Sequence, residues 1–165
     1  MPMKIIYILS MALLLSACAS SPEARQRKME ERIRVAQRVH DQIADQHFRI
    51  NVSMMHPQRY PAKMLTSPYY FEVLGDSVVS YLPYMGRAYN VPYGGGKALN
   101  FEGRVVNRDV QQVNPSQYLM VLDIDNDEAL YRYTISTYDN GASTIDIYTR
   151  ERESISFIGQ MDVER

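Results

Sequence analysis

The chain reads as a mainly β protein: a small antiparallel barrel or sandwich of roughly eight strands, preceded by one amphipathic N-terminal helix. Three observations predict this. Apolar residues recur every three or four positions up to about Gln46 and every second position from Phe48 onward, the change of period that separates a helix from half-buried strands. The alternating segments are short and are bounded by Gly, Pro, Asn and Asp, as in meandering sandwiches and barrels. Tyrosine is abundant, with 13 residues against no tryptophan. Its ring packs on a pleated surface while its hydroxyl stays wet.

Each element has a local reason. Ser20 or Ser21 caps a helix whose first position is Pro22 and whose first turn carries Glu23, the order that helix N-termini favour. From Glu23 to about Gln46, Met29, Ile33, Ala36, Val39 and Ile43 form one narrow apolar stripe, and the charged remainder is a solvated face. Phe48, Ile50, Val52 and Met54 then alternate with polar residues in a first strand, followed by a loop holding Pro57, Pro61 and Pro68. Tyr69 to Leu74 and Ser77 to Leu82 flank Gly75-Asp76, a tight hairpin signal. Leu99, Phe101, Gly103 and Val105 alternate in the next strand. Residues 117–123 and 129–137 are joined by the acidic turn Ile124 to Glu128, and Asp139-Asn140-Gly141 leads into residues 143–149. A last strand runs from Ser154 to about Val163 and is interrupted by Gly159.

The N-terminus carries an address. A basic start at Lys4 precedes an apolar run from Ile5 to Leu15. That run is shorter than the roughly 20 residues a transmembrane helix needs, and it fits the hydrophobic region of a secretory signal. Leu15-Ser16-Ala17-Cys18 ends it at the only cysteine and resembles the bacterial lipobox. The resemblance implies cleavage before Cys18, acyl chains on that residue, and a stable anchor, because two chains hold where one does not. We therefore expect a lipoprotein signal peptide over 1–17, a lipidated linker over 18–22 and a single helix-plus-barrel domain over 23–165. Ala19 follows the cysteine in place of a retention aspartate, and no dense acidic tag follows. The expected location is the outer membrane, facing the periplasm. With a net charge of −1 there is no basic face for nucleic acid.

One block stands out: Leu82-Pro83-Tyr84-Met85-Gly86-Arg87-Ala88-Tyr89, followed by Pro92-Tyr93-Gly94. With Phe101, the Asn140-Gly141 turn and Arg152-Glu153-Ser154-Ile155-Ser156-Phe157-Ile158-Gly159, it resembles the domain-of-unknown-function 4251 lipoproteins of Bacteroidetes. The resemblance implies a lipocalin-like antiparallel barrel and brings no activity with it. Physically, Pro83 ends a ladder because it has no N–H to donate, and Arg87 lies between tyrosines on which a guanidinium stacks. Two readings follow. The block is a packed corner closing one end of the barrel, or Tyr84, Arg87, Tyr89 and Tyr93 form a ligand or partner rim.

Catalytic signatures are weak. Gly94-Gly95-Gly96-Lys97 lacks the spacing and the following Ser/Thr of a phosphate loop. Asp123 to Glu128 offers hard oxygens, but Glu128 stands where a calcium loop needs glycine and Thr134 where it needs a bidentate acid. His40, His47 and His56 show no close metal-ligand spacing, and no Gly-x-Ser-x-Gly elbow occurs. The expectation is a non-enzymatic binding module, without cofactor or metal, for a small ligand or an envelope protein. The alternative is an assembly subunit docking through its N-terminal helix.

Overall fold

The structure is a computed structural model that describes residues 22–90, 94 and 96–164. Its elements are α1 (Pro22–Ala44), β1 (His47–Pro57), β2 (Lys63–Leu74), β3 (Ser77–Tyr81), β4 (Asn100–Asn114), β5 (Gln117–Asp125), β6 (Leu130–Tyr138), β7 (Ala142–Tyr148) and β8 (Ile155–Met161). The eight strands form a closed barrel in sequence order, each antiparallel to its neighbours, with β8 returning to β1. Of the two readings, barrel and sandwich, the barrel is the one realised. The described residues divide between two compact units, one ending at Ile33 and the other beginning at Arg34. The first unit includes the beginning of α1; the second holds its last turns and the whole barrel.

Alternation puts the apolar side inward on every strand. Phe48, Ile50, Phe71, Val78, Phe101, Met120, Leu122, Tyr133, Ile145 and Phe157 are all buried in one cluster. Arg49, Asn51, Arg132, Asp146 and Gln160 lie at positions of opposite parity, with the outer wall's polar groups. That order is the reverse of a membrane-spanning barrel. Aromatic rings pack in the interior: Phe71 stacks on Tyr133 at 4.9 Å between centroids, and Phe101 meets Tyr131 at 4.9 Å. Tyr133 keeps its hydroxyl satisfied at 3.0 Å from Ser80 Oγ, which donates to Leu99 O. Burial pushes that phenol well above its ordinary pKa. At one end of the barrel the last turns of α1 bury Val39 and Ile43. There Arg38 and Gln42 donate to the carbonyls of Val163 and Asp162.

Five details depart from the sequence reading. The register shifts between Val52 and Met54, so Met55 and not Met54 enters the core; one extra residue reverses the parity of everything after it. β2 begins at Lys63 and contains Pro68, where a loop was expected. Pro68 is accommodated because β2 is out of register between the Met54↔Met64 and Val52↔Tyr69 pairs, where no ladder bond is needed. β4 continues nine residues past Val105, through a polar stretch with no buried side chain to betray it. Ile124 and Asp125 belong to β5, leaving a shorter acidic turn. Gly159 does not interrupt β8: it pairs with Val52 and Ser143. A Cβ there would collide with the Asn51 carbonyl, so glycine permits the close approach that shuts the barrel.

Candidate functional site at the loop end

The barrel end away from the last turns of α1 gathers residues 58–62, 82–90, 96–99, 126–129 and 149–154. Their convergence follows from topology, since each joins strands that finish at that end. Pro83 stops β3 as expected. Leu82 makes a last bond to Leu99 O, and the chain then crosses toward residues 151–153. Ala88 bridges Arg152, Glu153 N–H donates to Arg87 O at 2.9 Å, and Tyr89 N–H donates to Glu151 O at 2.8 Å.

Glu153 is the buried carboxylate of this corner. It accepts from Arg59 Nε at 2.5 Å and from the Arg87 N–H at 3.2 Å. The Arg59 hydrogen bond, opposed by desolvation and reinforced by the Arg87 N–H, holds its carboxyl below the usual range. It is therefore ionised at neutral pH and committed to three loop segments, a positioning group and not a poised base. The Tyr84 hydroxyl sits 2.8 Å from Arg87 O and 2.9 Å from Glu153 O, sharing one proton between two carbonyls. Burial raises the pKa of Tyr84, and likewise that of Tyr131. Tyr131 donates to Ala98 O at 3.0 Å and ties the far end of the 82–99 loop to β6.

The acidic turn spends its oxygens on backbone N–H groups, its own and that of Lys97. Asp125 Oδ1 accepts from Asp127 N–H, Asn126 Oδ1 from Glu128 and Ala129, and Glu128 from Lys97 N–H. Just along the outer wall, Asp123 takes both Arg132 Nε and Nη2, at 2.7 and 3.1 Å. These bonds, led by Arg132, lower its pKa. A shallow groove of about 370 Å³ runs there past Leu130 and Tyr148.

The four rim residues therefore divide. Tyr84 belongs to the corner. Arg87 contributes its backbone, and its side chain is exposed. The cation over the Tyr84 ring is Arg152, at 5.3 Å, which corrects the expected stacking of Arg87. Arg152 is the buried arginine and Arg87 the solvated one. Tyr89 is 63% exposed; Tyr93 and Cys18 lie outside the described residues. Sequence reasoning missed Arg59 and Tyr60. Arg59 and Glu153 are 94 positions apart, and no periodicity links them. Tyr60 is 54% exposed, and both Tyr60 and Tyr89 lie close enough to Arg59 to act on its charge. Arg59 thus lies in the neighbourhood of two exposed tyrosines, with its guanidinium held by Glu153.

The family model described as "Domain of unknown function (DUF4251)" matches residues 30–161. No match is found among proteins of curated function. Among solved structures, the chain is similar to a DUF4251 family protein from Bacteroides eggerthii DSM 20697. The TM-score is 0.59 at 12% identity, over 77% of this chain and 86% of that one. At that identity the likeness carries the fold alone.

Proposed function

The chain belongs to the DUF4251 family of unknown function, and we propose that it is a non-enzymatic binding module of the bacterial envelope. In this reading acyl chains on Cys18 hold it in the periplasm-facing leaflet of the outer membrane, and the loop end receives a protein partner. One observation supports the partner reading: Tyr60 and Tyr89 are exposed beside Arg59, whose guanidinium is held by a buried, ionised Glu153 that also takes the Arg87 N–H. Tyr and Arg are the residue types that dominate interface energetics, and pre-organised loops lose little entropy on binding. A small ligand inside the barrel has less support, because aromatic rings occupy the interior. Docking through the helix has less support along residues 34–44, where Val39 and Ile43 are buried and Arg38 and Gln42 bind the chain's own C-terminal carbonyls. The anchor reading rests on the Leu15–Cys18 motif; among the described residues no helix is long and apolar enough to cross a membrane.

Photo-crosslinking in the native envelope tests both parts. A crosslinking side chain at Tyr89 or Tyr60 should give a discrete adduct, and one at the outer-wall Tyr148 should not. Arg59→Ala should weaken the adduct. A fatty-acid analogue should label the wild type and not Cys18→Ala, which should become soluble in the periplasm. Adducts at Tyr148 alone would sink the loop-end reading; an unlabelled wild type, with Cys18→Ala still membrane-bound, would sink the anchor.

A further inference from the structure

β4 outruns its partner on one side. Its pairing with β3 ends at Arg104↔Ser77, and its pairing with β5 continues to Asn114↔Gln117. Between these limits the far edge of β4 meets no strand. Among the described residues, the last main-chain bond on that side is Val105 N–H to Asp76 O. That bond also sets the parity. Val105 turns its N–H away from β5, one extra residue intervenes before Asn107, and the pairs Arg108↔Leu122, Val110↔Met120 and Gln112↔Tyr118 follow. Stepping through them turns the backbone N–H and C=O of Arg108, Val110 and Gln112 outward. Proteins normally guard such an edge with Lys, Pro or a bulge. β2, the other strand with a run unpaired by β3, is guarded in this way: Lys63 and Pro68 lie in it, and it is out of register. The stretch of β4 from Asn107 to Gln112 has neither Lys nor Pro; its one cation, Arg108, is turned back onto Gly75 O, Gln46 and Asp76, and its two register shifts lie at its ends.

We propose that this edge pairs antiparallel with the same edge of a second copy of the chain, forming a two-fold dimer with one sheet continuous across both barrels. Self-complementarity argues for a second copy. Only outward-facing residues pair with one another, so the candidate axes pass through Asp109, Val110 or Gln111. An axis at Asp109 sets two carboxylates against each other. An axis at Val110 sets Val110 on Val110, Arg108 on Gln112 and Asp109 on Gln111, with no like charges opposed. The exposed side chains of Val106, Val110 and Val113 then gain cover on joining. Such a contact is isologous and closes on itself, so it stops at two copies.

Sedimentation of the full chain carrying Cys18→Ala, over a range of concentrations, measures the dimer directly. Backbone hydrogen exchange locates it. The expected result is a dimer that dissociates on dilution, with exchange at Val110 and Gln112 slowed only in the dimer. Val110→Pro removes an outward N–H at an edge where proline is tolerated and should raise the dissociation constant by roughly tenfold or more. Should that variant melt early, Val110→Lys, which opposes like charges at the axis, gives the same reading with the backbone intact. A chain monomeric at about millimolar concentration, where even contacts of only ~4 kcal/mol are half formed, overturns the proposal. So does a dimer that survives both substitutions, or one in which exchange at Val110 and Gln112 is unchanged.

Discussion

Tyr84→Phe measured beside Arg87→Ala separates the corner from the surface above it. The phenylalanine keeps the ring under Arg152 and deletes only the hydroxyl. That hydroxyl serves Arg87 O at 2.8 Å and Glu153 O at 2.9 Å. It has one proton, so one hydrogen bond's worth of stabilisation is lost and a half-buried carbonyl is left short of its donor. Arg87 O retains the Glu153 N–H, which limits the damage. The cost should be about 1–2 kcal/mol. For a domain of this size each kcal/mol lowers Tm by about 2–4 °C, so the melt should fall by about 2–8 °C. Arg87→Ala should stay within about 0.5 kcal/mol, as exposed positions do, because alanine retains the N–H and C=O that build the corner. Circular dichroism melts and urea titrations of both variants provide the comparison. If Arg87→Ala melts as low as Tyr84→Phe, the guanidinium is part of the packing and the division drawn here is wrong.

Two further outcomes follow from the barrel itself. Gly159→Ala drives a methyl group into the Asn51 carbonyl across the β8–β1 seam and should cost about 1–3 kcal/mol; an unchanged urea midpoint would mean the seam yields freely. Tyr84, Tyr131 and Tyr133 all have raised pKa values through burial. Their unfolded forms ionise near pH ~10, so their contribution is complete below that pH and is lost as pH climbs through the raised folded values. Asp123 and Glu153 have lowered values and act oppositely: their contribution is present above about pH 4 and is lost as pH falls. Absorbance titration of the phenols, with urea midpoints on both flanks, checks the signs. Ionisation of all three phenols at the ordinary pH without unfolding would refute the alkaline limb.

Alternation was legible wherever one face of a strand is apolar. Phe71, Phe101, Tyr133, Ile145 and Phe157 identify their strands without reference to any partner, and Gly75-Asp76 and Asn140-Gly141 identify their turns. The same logic fails where burial leaves no trace in the pattern. Asn107 to Asn114 is a strand with two wet faces, held by main-chain bonds to β5 that any residue can make. Pro68 reads as loop until β2 is seen to run out of register beside it. Met54 reads as core until a single bulge reverses its parity.

The loop-end site was half legible. Local chemistry marks Pro83 as the end of a strand and the Tyr84–Tyr89 block as unusual. It cannot say which arginine a tyrosine will meet. By itself the sequence determined the period of each element, the places where strands must stop, the family resemblance and the Leu15–Cys18 motif that bears on the anchor, because these depend on residues close together in the chain. Only the tertiary structure decided that the sheet closes through Gly159. It alone brought Arg59 to Glu153 across 94 positions, put Arg152 and not Arg87 over Tyr84, and left part of one edge of β4 without a partner strand. Those outcomes depend on register and shear accumulated around eight strands, and a one-residue shift in any strand would have paired different side chains.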